Sequence, residues 1–150
     1  HPNRRYDAIA FFQVLEHQAP PLNFLRTVYG LVSPHGRIYL SVPNPDRYQL
    51  RIKRESWDNP PHHLIRFSKQ GITALLERAG FQVHRMIDQP FTEENRTQAA
   101  KQLYAQYPLP KRVRQLLKRP LVHVMNRHVA GWSCTGQDLY VQATRDLSIS

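Results

Sequence analysis

YDAIAFFQVLEH, residues 6–17, and IYLSVPN, residues 38–44, decide the fold. Tyr6 to Phe12 is a short, nearly continuous apolar run, the pattern of a strand covered on both faces, as in a parallel sheet. Polar Gln13, Glu16 and His17 follow it. Pro20-Pro21 then opens a helical pattern with Leu22, Leu25, Val28 and Val32 on one face. Ser33-Pro34-His35-Gly36 is a turn signal, and Ile38–Val42 is a second strand stopped by Pro43. A strand, a helix and a strand with short connections predict a right-handed parallel crossover.

Beyond this unit, Asn44 to Phe67 is irregular, with prolines at 43, 45, 60 and 61 and a short basic helix expected over Tyr48–Glu55. Ser68 is a good N-cap for a helix with Ile72, Leu75, Leu76 and Ala79 on one face, and Gly80 is its natural end. Phe81–Ile87 alternates and reads as an outer strand. Residues 90–110 are polar, with helix expected over Glu93–Tyr107. Lys111–His128 is a basic amphipathic segment interrupted at Pro120. Leu139–Ala143 is the last strand and Asp146–Ser150 a frayed tail. The chain therefore reads as a single domain over 1–150 with a helical insertion around 90–130, and it holds no internal repeat.

A hydrophobic fraction of 41% in 150 residues suffices for a core, and no apolar run is long enough to span a bilayer. No signal-peptide pattern follows the first residues. Cys134, the sole cysteine, excludes an internal disulfide and fits a reducing, cytoplasmic setting. It reads as a small packed residue, a nucleophile being the rarer alternative. Twenty-one Lys and Arg against eleven Asp and Glu give a net charge of +10. Such a surface attracts phosphates, nucleic acid or anionic headgroups, or is simply solvated.

YDAIAFFQVLEH, SPHGRIYLSVPN and HHLIRFSKQGITALLERAGF, in that order, resemble class I S-adenosylmethionine (SAM)-dependent methyltransferases. The resemblance covers roughly residues 6–88 and extends to the final strand. It implies an α/β, partial Rossmann-like methyltransferase fold: a three-layer sandwich with a mainly parallel sheet and an antiparallel final strand. It makes YDAIAFF the fourth strand of the family's seven and IYLSV the fifth. The family's G-x-G-x-G loop has no counterpart among glycines 30, 36, 71, 80, 131 and 136. The expectation is therefore the C-terminal half of a catalytic domain belonging to a longer protein. His35 stands where the family usually has glycine, at a turn position expected to need positive φ.

Ligands in open α/β sheets bind beyond the carboxyl ends of the strands. By the resemblance, Phe12, Gln13, Val14, Leu15 and His17 border the cofactor, SAM. Pro43 and Asn44 border the methyl acceptor, and residues 46–67 form a lid or substrate wall. Glu16 and His17 are either a polar pair at the cofactor pocket, with His17 a base, or a turn cap and loop anchor. His62 and His63 are the better candidate catalytic bases, with Arg66 nearby on the substrate side. The same histidines would alternatively lock the loop through hydrogen bonds. Tyr48, Trp57 and Phe67 offer an aromatic wall for a flat or greasy acceptor, or pack the loop onto the domain. No metal site is expected, because adjacent histidines cannot readily share one ion and no carboxylate or cysteine spacing completes a set.

Lys111 to Arg119 alternates cations with Val113, Leu116 and Leu117. A basic amphipathic helix of this kind suits a membrane surface, RNA phosphates, or an outer position with its apolar stripe on the core. The functional expectation is SAM-dependent methyl transfer to a small-molecule or lipid-linked acceptor. Peripheral membrane contact would run through residues 111–128. The alternative is a non-catalytic methyltransferase-like module that holds nucleic acid or an anionic membrane by its basic face. Produced alone, the 150 residues are expected to self-associate, because the fourth strand would present an unpaired apolar edge.

Overall fold

The computed structural model describes residues 4–52, 60–106 and 108–147, without the side chain of Arg114. Strand β1 (Tyr6–Phe12) leads through a 3-10 turn (Leu15–His17) to helix α1 (Pro21–Leu31) and strand β2 (Val32–Pro43). Short helix α2 (Gln49–Ile52) and helix α3 (Lys69–Arg78) precede strand β3 (Phe81–Asp88). Helices α4 (Glu93–Gln106) and α5 (Lys111–Ala130) then lead to strand β4 (Asp138–Arg145).

The described strands form one sheet in the order β1-β2-β4-β3. β1 and β2 are parallel, the product of the expected crossover, while β4 runs antiparallel between β2 and β3. β3 is thus an outer strand, as its alternation suggested. The described part of the sheet is mixed, because the last strand enters its middle against the direction of both neighbours.

One face of this sheet carries the core. Phe11, Ile38, Leu40, Val42, Leu139, Val141 and Ala143 meet Leu25 and Val28 of α1 and Ile72 and Leu76 of α3. On the other face Tyr6, Ala8, Ala10 and Phe12 alternate outward and are exposed. Phe12, Tyr39, Ile87 and Tyr140 line a shallow depression there of about 340 Å³. The described residues thus supply two of the expected three layers. The apolar run of β1 is covered on one face only.

The turn before the second strand lies inside β2. Tyr6 pairs with Val32 but Ala8 with Arg37, so the register jumps across residues 33–36. His35 adopts φ 61°, the left-handed conformation expected at that position. At Gly36 a Cβ would stand 2.6 Å from the Val32 side chain and 2.9 Å from the Ser33 carbonyl, so only glycine closes the turn. The Ser68 hydroxyl accepts from the Gly71 amide at 3.0 Å and caps α3. Gly80 ends that helix at φ 91°, where a side chain would strike the Tyr29 ring.

A second, smaller core forms where α4 and α5 pair: Tyr48, Ala99 and Val129, with Phe91, Leu103 and Trp132 against them. α5 runs without interruption through Pro120, contrary to the expected break. Leu116, whose carbonyl loses its helical partner at Pro120, is 80% exposed, so water can satisfy that group.

Candidate active site

At the carboxyl end of β1, Gln13 takes φ 53°, an uncommon conformation for a non-glycine residue. Hydrogen bonds hold it there. Its amide donates to the Ser41 carbonyl at 3.0 Å, and its side chain donates to Asp138 Oδ1 at 2.9 Å. Three strands are tied at one point, just where the parallel pair ends.

The 3-10 turn that follows anchors the loop arriving from residue 60. The Glu16 carbonyl accepts from the amides of Leu64 at 2.9 Å and Ile65 at 3.2 Å. His17 Nδ1 is bonded to the His62 carbonyl, and the His17 and His63 rings meet edge to face at 5.0 Å. The Glu16 side chain is fully buried, and neither carboxylate oxygen has a hydrogen-bond partner among the described residues. Burial pushes this carboxyl above its ordinary range, against the pull of its own backbone amide first and then of His17 and His63.

The remaining predicted residues divide by what surrounds them. Phe12 is exposed at the strand end and Val14 half-buried beside it, whereas the Leu15 side chain turns wholly into the core and offers only backbone to a ligand. Pro43 and Arg66 come together with Ile65 and Phe67 around a cavity of about 150 Å³. Asn44 is fully buried: its side-chain Nδ2 donates to Asp88 Oδ1 at 2.8 Å, and its side-chain oxygen accepts from the Asp46 backbone amide. It braces the start of the loop. Tyr48 is only 3% exposed and lies against Phe91, so it packs the loop onto the second core instead of forming an open wall. Phe67 is likewise a core residue. Trp57 lies outside the described residues. His62 is exposed and His63 buried, and they gather with Glu16 and His17, not with Pro43 and Arg66.

Sequence reasoning missed three participants. Ser41 and Asp138 hold Gln13, and no motif marks either. Lys69 donates to Asp88 at 2.8 Å beside a cleft of about 520 Å³ that also meets Cys134. Burial pushes the Cys134 thiol up, which fits a packed residue and not a nucleophilic thiolate.

A parallel strand–helix–strand unit, with the last strand entering antiparallel beside it and loops converging on the parallel strand ends, defines half of a Rossmann-like α/β fold. A family model described as a methyltransferase domain matches residues 1–85, and the chain belongs to that family, among the class I SAM-dependent methyltransferases. A SAM-dependent methyltransferase from Archaeoglobus fulgidus superposes with a TM-score of 0.58 at 16% identity, covering 96% of this chain and 61% of that one. The (4+2)-cyclase SpnF gives 0.56 at 18% identity, covering 97% and 53%. Coclaurine N-methyltransferase, bound to N-methylheliamine and S-adenosylhomocysteine, gives 0.54 at 14% identity, covering 95% and 48%. At these identities the likeness concerns the fold alone. The chain spans about half to three fifths of the length of these structures. No curated protein matches the sequence.

Proposed function

We propose that this chain supplies the acceptor side of a SAM-dependent methyltransferase whose substrate is a small-molecule or lipid-linked acceptor. The observation that carries the proposal is the convergence at the parallel strand ends. Phe12 and Gln13 lie beside Ser41 near the end of β2, the Glu16 carbonyl holds the amides of Leu64 and Ile65, and Ile65 and Arg66 line one cavity with Pro43. SAM, when bound, supplies a methyl group on a positively charged sulfur, so transfer rests largely on alignment. The exposed Phe12 ring and half-buried Val14 fit one apolar wall for that cofactor. His62, its carbonyl bonded to His17 and its side chain exposed, is the base that this reading assigns to a hydroxyl acceptor.

The test uses the full open reading frame. Titration with SAM should show saturable binding, and joint replacement of His62 and His63 by Ala should lower kcat by about a hundredfold or more. Absence of SAM binding would sink the reading, and unchanged kinetics would remove the two histidines from it.

A specific observation favours membrane contact as an accompanying role. The expected placement of the α5 apolar stripe on the core fails over most of its length. Leu116 is 80%, Val124 61%, Leu117 41% and Val113 38% exposed, and among the described side chains of the helix only Val129 is fully buried. Exposed leucines amid Arg112, Lys118 and Arg119 suit the boundary of an anionic bilayer. Against RNA phosphates the leucines would gain nothing, so nucleic acid is the poorer partner. No described helix is long and apolar enough to cross a membrane. Co-sedimentation with phosphatidylserine vesicles at low salt should retain the protein, and Leu116→Glu should release it. Equal recovery of both in the supernatant would exclude the membrane.

A further inference from the structure

The cluster at Glu16 poses an electrostatic problem that the methyltransferase reading leaves unsolved. A carbonyl oxygen can only accept, so the contact between His17 Nδ1 and the His62 carbonyl places the ring hydrogen on Nδ1. In the neutral ring the lone pair then sits on Nε2. That nitrogen faces Glu16 Oε1 at 3.8 Å. The glutamate is fully buried, and both its oxygens lack hydrogen-bond partners among the described residues. Two electron-rich atoms thus face each other, one on a fully buried side chain and one on a partly exposed ring. A proton bridging them would draw them to about 2.7–3.2 Å. The observed gap is wider, and a cation held between the two donors would need to close it by only a few tenths of an ångström. With metal–ligand bonds of about 2.0–2.2 Å, neighbouring ligands stand roughly 3–3.5 Å apart.

His63 completes the set. One nitrogen of each imidazole and one carboxylate oxygen all lie within 4.8 Å of one another. We propose that Glu16, His17 and His63 bind a divalent transition-metal ion, of the class of Zn²⁺ or Co²⁺. Two imidazoles and a carboxylate are the donors such ions favour, and three protein ligands leave a position open. The His62 carbonyl acts as the outer partner that fixes the His17 tautomer. The side chain of His17, 44% exposed, gives the ion its way in. The adjacent histidines do not share the ion. His17 and His63 do, brought together because the Glu16 carbonyl holds the amides of Leu64 and Ile65.

The probe is Co²⁺ alone, added to metal-free protein and followed by visible absorption and calorimetry. One-to-one binding with the bands of a protein-ligated ion is expected, and Zn²⁺ should bleach them. His17→Ala, at a partly exposed position that folding should tolerate, and Glu16→Gln, close in shape, should each weaken binding at least about tenfold. His62→Ala keeps its carbonyl and should bind as the parent does, as should the surface control His84→Ala. Loss of binding on His84→Ala, parental binding by His17→Ala, or no saturable binding would each overturn the assignment. The readout needs neither SAM nor methyl transfer, so it stands or falls apart from the proposed activity.

Discussion

Lys69 and Asp88 stand 2.8 Å apart, and the Asn44 amide donates to the other oxygen of the same carboxylate. The hydrogen bond from Lys69, first, and that from Asn44 hold Asp88 below the usual carboxylate range against the cost of partial burial. A lowered folded pKa means that the ionised form favours the fold. Its contribution is present above the unfolded value of about 3.9 and is lost as pH falls through the folded value. The pair is about one third exposed, so water damps its worth. Asp88→Asn should therefore melt below the parent at pH 7, with the gap closing below about pH 4. A thermal series across pH checks this, and a pH-independent gap would contradict it. His35 offers a second test. Its φ of 61° costs a side-chain-bearing residue about 1–2 kcal/mol, so His35→Gly should raise stability by about 1 kcal/mol in denaturant titration. That strain was legible from the Pro-initiated turn. The equally left-handed Gln13 was not, because its conformation is imposed by Ser41 and Asp138 on other strands.

At the scale of elements, helix α3 shows what local signals carry. Its cap, its apolar face and its glycine stop all stand in sequence, and the helix starts and ends where they predict. Ser68→Ala should lower stability by about 1 kcal/mol, measurable by urea unfolding, because the Gly71 amide loses its acceptor. Helix α5 shows the converse. Pro120 marks a break by local rules, yet the helix continues, since its lost bond lies on the solvent side and its far end is tied into the second core through Val129. The choice between an open wall and loop packing at Tyr48 stayed undecided in sequence for a similar reason. Tyr48 is apolar and sits in a loop, but which surface it meets depends on Phe91, from beyond β3.

At the scale of the molecule, the bare sheet face sets the physical behaviour. Tyr6 is 45% and Phe12 55% exposed, and β1 is an edge strand among those described. An unpaired edge beside an uncovered apolar face favours association. The 150 residues produced alone should sediment as oligomers at micromolar concentration, and Phe12→Lys should shift them toward monomer. A monomeric parent in analytical ultracentrifugation would overturn this. The bare face also explains β1 itself. Its continuous apolar run is written for two covered faces, and the described helices cover one.

By itself the sequence determined the strand–helix–strand unit, the caps, the order of motifs that marks the family, and the strand ends where ligands would gather. These follow from hydrophobic period, glycine and proline placement, and capping, which act over a few residues. Only the tertiary structure decided that β4 enters between β2 and β3, that Asn44 and Tyr48 serve as braces, and that Glu16, His17 and His63 converge. Those facts depend on chain closure. Gln13 meets Asp138 across 125 residues, and His17 meets the His62 carbonyl across 45. No spacing along the chain records such meetings, because sheet pairing and loop anchoring, not local propensity, create them.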